Sequence, residues 1–310
     1  MKDYSARAAV VALLTCAILS ASGCERNNAG IYDPDAGLAV TPAREAEDLP
    51  KVETLPPVAE PNADFSFDET NTRLTIDASE RPFIGFLTPE DQERARKVKV
   101  IRCRGRLTNS GLLSISLCRD MREWLWTEAV VPNDAKGTFL MVAAFRQLSK
   151  LRLSGLHADD GSFPLDALRG ASQAENLTEL DLSSSAVSVK ELGEVDWREG
   201  FPSLYSLNLY HTSVGDAGVL DILPLATRLE SLNLDDAGIT PASADAIARF
   251  TKLTFLHVGR SELDDESVAK FSALSNLTKL HITRTRATEA GADRLREALP
   301  NCTVVSQPEN

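Results

Sequence analysis

One phrase, L-x-x-L-x-L, returns through the second half of this chain every 24 to 27 residues, with one longer interval of 29. It stands at Leu148-x-x-Leu151-x-Leu153, Leu177-x-x-Leu180-x-Leu182, Leu204-x-x-Leu207-x-Leu209, Leu229-x-x-Leu232-x-Leu234, Leu253-x-x-Leu256-x-Val258 and Leu277-x-x-Leu280-x-Ile282. Alternating apolar residues over so short a run read as a strand. The residues that follow are apolar at helical spacing, as in Ala244, Ile247 and Ala248, or Val268, Phe271 and Leu274. Each unit is therefore strand, turn, helix, and no single unit can bury its own apolar face. Units must stack, with parallel strands about 4.8 Å apart and helices on the other side.

Upstream the phrase degrades, to Met121-x-x-Trp124-x-Trp126, Val98-x-x-Ile101-x-Cys103 and Leu74-x-Ile76. Trp124 and Trp126 take core-leucine places, so both are expected to pack inside. After each phrase a small or hydroxyl residue recurs at Ser185, Thr212, Ala237, Ser261 and Thr285. Asp216, Thr240, Asp264 and Thr288 then read as helix N-caps, and Pro241 suits a first helical position. Longer units predict loops that protrude around His157 to Phe163 and Val195 to Phe201.

These repeats resemble the short bacterial leucine-rich repeats of form LxxLxLxxTxITDxGL, which are similar to the cysteine-containing repeats of F-box-associated proteins. Leu207-x-Leu209-x-x-Thr212-x-Val214-Gly215-Asp216-Ala217-Gly218-Val219 keeps the form well. The resemblance implies an α/β horseshoe solenoid, its parallel sheet on the concave face and its helices on the convex one. It would occupy residues 65–310 with about eight or nine repeats, irregular before 148 and capped over about 289–305. No F-box segment is recognisable, so a ubiquitin-ligase role does not carry over.

The start of the chain has a different character. Lys2 and Arg7 precede an apolar run from Ala8 to Leu19, too short to span a bilayer core of about 30 Å as a helix. Leu19-Ser20-Ala21-Ser22-Gly23-Cys24 resembles the lipobox of bacterial lipoproteins, although Ala21 stands where those proteins usually carry leucine. Residues 1–23 are thus expected to be a signal peptide. Cys24 is then either a lipidated N-terminus that holds the protein to a membrane or a free thiol left by ordinary cleavage. Glu25 is not the aspartate that marks inner-membrane retention in some lipoproteins, which leans towards the outer membrane or periplasmic face of the envelope. From Cys24 to residue 64 there are six prolines, nine acidic and three basic residues, the composition of a disordered acidic tether.

The chain carries a formal charge of −12, and removal of residues 1–23 with Lys2, Arg7 and Asp3 leaves −13. Such a surface repels phosphate, so nucleic acid is not expected as a partner. No G-x-S-x-G elbow, H-E-x-x-H pair or Gly-rich phosphate loop occurs, and neither an enzyme nor a cofactor is expected. The residues between the core leucines should instead form one polar strip on the concave face for a protein partner. Its main row is Arg152, Asp181, Asn208, Asn233, His257 and His281, with Tyr210, His211, Asp235, Asp236, Arg260 and Arg284 beside it. A metal site among His211, Asp235, Asp236 and His257 is conceivable on adjacent rungs but is not expected. The competing reading is a structural envelope component with no ligand site. Cys103 and Cys118 are either a disulfide or buried thiols.

Overall fold

The structure, a computed structural model, describes residues 62–306. Cys24 and the expected signal peptide lie outside these residues, as does all but the end of the expected tether. The described residues build one sheet of twelve strands: β1 (Asp64–Phe67), β2 (Arg73–Phe83), β3 (Val100–Leu107), β4 (Glu123–Val131), β5 (Lys150–Leu153), β6 (His157–Ala158), β7 (Glu179–Asp181), β8 (Ser206–Asn208), β9 (Ser231–Asn233), β10 (Phe255–His257), β11 (Lys279–His281) and β12 (Thr303–Val305). They lie in chain order, with β6 set aside against β4. Only β1 runs antiparallel to its neighbour.

Register follows from the repeated leucine. Leu74, Ile101, Trp124, Leu151, Leu180, Leu207, Leu232, Leu256, Leu280 and Val304 pair rung upon rung. Each is almost fully buried. A one-residue slip would turn this whole column to solvent, at roughly 1.5–3 kcal/mol for each large side chain exposed. A helix over Glu289–Ala298 and the edge strand β12 close the stack.

Every strand from β7 to β11 leaves the sheet through the same turn. Three residues beyond the strand's end, Ser184, His211, Asp236, Arg260 and Arg284 all have φ between 48° and 57°, in the left-handed region. The turn lets the parallel ladder continue, as where His211 N–H donates to Asp235 O at 2.9 Å and Arg260 N–H to Thr283 O at 2.9 Å. The hydroxyl column locks it from inside: Ser185, Thr212, Ser261 and Thr285 donate to the carbonyls of Leu182, Leu209, Val258 and Ile282. That is why a small or hydroxyl residue recurs there.

Three of the four expected N-caps are found. Thr240, Asp264 and Thr288 accept from the backbone N–H of Ala242, Ser267 and Gly291. Asp216 does not cap its own helix; it sits one place further on, and Gly215 occupies the cap column with φ 57°. Its carboxylate instead accepts from the N–H and hydroxyl of Thr240 in the next repeat, as Asp265 does from Thr288. These carboxylates tie the helix start of one repeat to the next.

The expected protruding loops are anchored instead. Trp197 and Phe201 are 3% and 0% exposed and stack at 4.7 Å, because two large aromatic rings gain more from burial than a surface excursion would. The Arg228 guanidinium donates to Trp197 O and Gly200 O at 3.1 Å and closes that loop. In the other, β6 pairs with Val130 and Val131 and Phe163 is buried, so only the tip around Asp160 is exposed.

The first three long strands have an aromatic interior. The indoles of Trp124 and Trp126 are fully buried and stack at 5.8 Å with planes 5° apart, beside Phe139. Trp126 donates to Gly105 O at 2.8 Å, and Trp124 to the Cys103 sulfur at 3.4 Å. Cys103 and Cys118 are free thiols, which resolves that alternative. Burial pushes both up to about 12, so neither is a reactive thiolate at neutral pH.

Candidate functional site

On the open face of the sheet, Arg152, Asp181, Asn208, Asn233, His257 and His281 stand on successive rungs in one row. The row has two chemistries. Asp181, Asn208 and Asn233 each turn an Oδ1 onto the backbone N–H two residues ahead, at Ser183, Tyr210 and Asp235, over 2.9 to 3.0 Å. These side chains help to form the turn. Asp181 also pairs with Arg152 at 2.9 Å, and in the adjoining column Lys150 pairs with Glu179 at 3.0 Å.

At β10 and β11 the row changes to histidine. The rings of His257 and His281 lie 4.6 Å apart, and Phe255 stands 5.8 Å from His281. Among the described residues, the buried Nε2 of His257 has no hydrogen-bond partner. It lies 3.6 Å from Asp235 Oδ2. Burial holds this imidazole below its ordinary value of 6.5; Asp235 opposes that shift, and His281 and Arg260 reinforce it.

Asp235 is the buried pivot, its side chain only 6% exposed. The Arg260 guanidinium grips it through Nε and Nη2, a fork-to-carboxylate contact, and lies 5.1 Å over the Tyr210 ring. Asp236 goes elsewhere and meets His211 Nδ1 at 2.6 Å on the exposed side. Tyr210, Asp235, His257, Arg260 and His281 are thus brought into one cluster. His211 and Asp236 form a separate exposed pair, and Arg284 stands exposed at the following turn.

Two further residues shape the cluster. Phe255 occupies a place where β8 and β9 carry serine, and adds an apolar ring beside the histidines. Gly259 occupies the column of Ser183, Tyr210 and Asp235; a Cβ there would lie 2.8 Å from Thr283 O, 2.9 Å from Asp235 Oδ1 and 3.0 Å from His257 Nε2. Only glycine lets these groups converge. A lone glycine in a column of side chains was the sequence signal for it.

The divergence of the two aspartates decides what the site can do. Among the described residues, no three His, Cys, Asp or Glu side chains are grouped to hold a metal ion. No hydroxyl among the described residues is hydrogen-bonded to His257 Nε2. What is offered is a rigid surface of two imidazoles, two aromatic rings and an arginine already fixed by a buried carboxylate.

No family model matches this chain, and no curated protein matches it in sequence. Among solved structures, internalin C2 of Listeria monocytogenes has a TM-score of 0.50 at 18% identity, over 70% of this chain and 83% of its own. A leucine-rich-repeat protein of Leptospira interrogans has a TM-score of 0.47 at 18% identity over 74% of this chain. InlP of Listeria monocytogenes has 0.44 at 14% over 70%. The chain spans only 59% and 56% of the lengths of those last two. The fold is an α/β leucine-rich-repeat solenoid.

Proposed function

We propose that this chain is an exported lipoprotein, held to the envelope by lipid on Cys24, whose open strand face binds a protein. The observation that carries this reading is the Tyr210, Asp235, His257, Arg260 and His281 cluster. Aromatic and arginine side chains in a pre-organised patch are the composition of protein-binding hot spots, and here little side-chain entropy is left to lose on binding. The −13 charge of the mature chain favours a partner with a basic surface. Binding rather than catalysis is the role, since the face is open and excludes no water.

The experiment is a cross-linking pull-down from envelope fractions with wild type and with the Asp235→Ala, Asp236→Ala, His257→Ala and Arg260→Ala quadruple variant. The wild type is expected to capture a protein that the folded variant does not; identical capture removes the cluster from the reading. The anchor is tested by labelled palmitate on wild type and Cys24→Ser, where equal labelling rejects Cys24. One observation favours the structural-component reading for the middle tiers: Arg152, Asp181, Lys150 and Glu179 satisfy one another and serve the repeat itself. In that reading only the C-terminal tiers bind.

A further inference from the structure

Over β4 to β10 the open face sinks into a trough of about 360 Å³, walled at one end by the ion-paired Lys150, Arg152, Glu179 and Asp181 and at the other by Phe255. Its floor is Ser206 and Asn208 on β8 with Ser231 and Asn233 on β9. The depression follows from side-chain size, because the serine column carries Glu179 on one side and Phe255 on the other. From β4 to β10 is five strand spacings, about 24 Å, long enough for a chain-like ligand laid across the strands. The volume falls within the range of small-molecule and cofactor sites, roughly 300–1,000 Å³.

Over β8 and β9 the lining is neutral and its polar groups are partly unengaged. Asn208 and Asn233 spend their Oδ1 atoms on the Tyr210 and Asp235 N–H groups, which leaves each Nδ2 amide as a donor. Among the described residues, neither those Nδ2 groups nor the Ser206 and Ser231 hydroxyls have a hydrogen-bond partner. Four of the five bordering charges are already matched, Arg152 with Asp181 at 2.9 Å and Lys150 with Glu179, which also accepts from the Tyr205 hydroxyl at 3.0 Å; Glu123 lies at the far end, on β4. A charged ligand would have to compete with those pairs. The half-buried Phe255 supplies one apolar wall.

We propose that this trough is a binding site for a neutral, polyhydroxylated chain, an oligosaccharide segment. Sugar hydroxyls both donate and accept, which suits serine hydroxyls beside amide donors, and the C–H face of a sugar ring packs on an aromatic wall such as Phe255. An extended peptide fits less well. Its own N–H groups need acceptors, and beneath the trough the strand carbonyls are already used by the ladder. The site shares with the protein-binding role the open strand face and the Phe255 ring, and it is told apart through Ser206 and Ser231, which the cluster does not use.

The experiment is calorimetric titration of the mature full chain with cellotetraose, with tetra-N-acetylchitotetraose, and with a neutral Ser/Thr-rich peptide. At least one oligosaccharide is expected to bind with a dissociation constant of about 1 mM or tighter. The Ser206→Leu, Ser231→Leu double variant fills the trough and should weaken that binding at least about tenfold with an unchanged melting temperature. Phe255→Ala, which removes the wall and leaves the core intact, should weaken it as well and serves if the double variant does not fold. No binding of either sugar, sugar binding indifferent to both variants, or binding of the peptide alone overturns the proposal. Protein capture by the Asp235 cluster is read separately, with the quadruple variant, so failure of either reading leaves the other standing.

Discussion

The two ends of this solenoid solve one problem with different materials. Over β8 to β11 each tier is a three-residue strand on a leucine rung with a left-handed turn, locked by a hydroxyl in every tier but that of β9, where Ala237 stands. Over β2 to β4 the strands are 11, 8 and 9 residues long, and the interior is filled by Trp124, Trp126, Phe139 and the Phe65, Phe83 and Phe86 group. The regular end keeps its turn column aligned, so polar side chains from successive tiers meet and a cluster forms. At the aromatic end bulges break the register, as between Arg104 and Arg106, and the charges pair off singly. Regularity at one end permits a site, and irregularity at the other makes a cap.

The largest test of that contrast lies in the aromatic tier. Trp126→Ala should cost about 3–5 kcal/mol, read by denaturant unfolding, since a fully buried ring leaves a cavity the stack cannot close. Because repeats contact mainly their neighbours, amide exchange should quicken over β3 to β5 and change little over β9 to β12. Uniform quickening would mean that the two ends are one cooperative unit.

Gly259→Ala should cost about 1–3 kcal/mol, because its methyl meets a carbonyl and a carboxylate that cannot both withdraw. It should also abolish capture by the cluster. The same change at Gly137, which has no left-handed φ and whose Cβ would come no nearer than 3.7 Å to Asp166 Oδ2, should cost little; an equal loss there would count against convergence as the cause at Gly259.

Asp235→Asn should cost about 1–3 kcal/mol by leaving the part-buried Arg260 without its carboxylate. Since Asp235 is what holds the His257 imidazole up against burial, the variant should titrate His257 at a lower pH still, visible by NMR. In the wild type this folded imidazole lies below its unfolded value of 6.5, so its contribution to stability is complete above that pH. It is lost as pH falls through the folded value. His257→Asn, which restores the residue type of Asn208 and Asn233, should flatten that acid-side loss; an unchanged melting profile between pH 7 and pH 5 would reject the assignment.

The smallest effect is expected at the turn column. Arg284→Gly relieves a left-handed backbone at an exposed position, and should raise stability by about 0.5–1 kcal/mol net of the glycine's own entropy. Destabilisation there would show that the Arg284 side chain holds the last turn.

The rungs were legible because the leucine period is long, repeated and unforgiving of a slip. The burial of Trp124 and Trp126 was legible too, since both take leucine places. Asp216 was read one place out, because a cap and an inter-repeat acceptor both look like a polar residue before a helix. The loop at 195–201 read as a protrusion because its length was visible and the stacking of Trp197 on Phe201 was not. Phe255 and Gly259 escaped notice since they matter for what neighbouring rungs carry.

The sequence alone determined that tiers stack and which residues share the row from Arg152 to His281, because a strand of period two repeated at near-constant spacing leaves no other register. Only the tertiary structure decided where Asp235 and Asp236 go. They are neighbours in the chain, but the left-handed turn at Asp236 rotates its carboxylate out to His211, while Asp235 stays buried under Arg260. That divergence depends on a glycine one rung away, and no pattern within a single repeat encodes it.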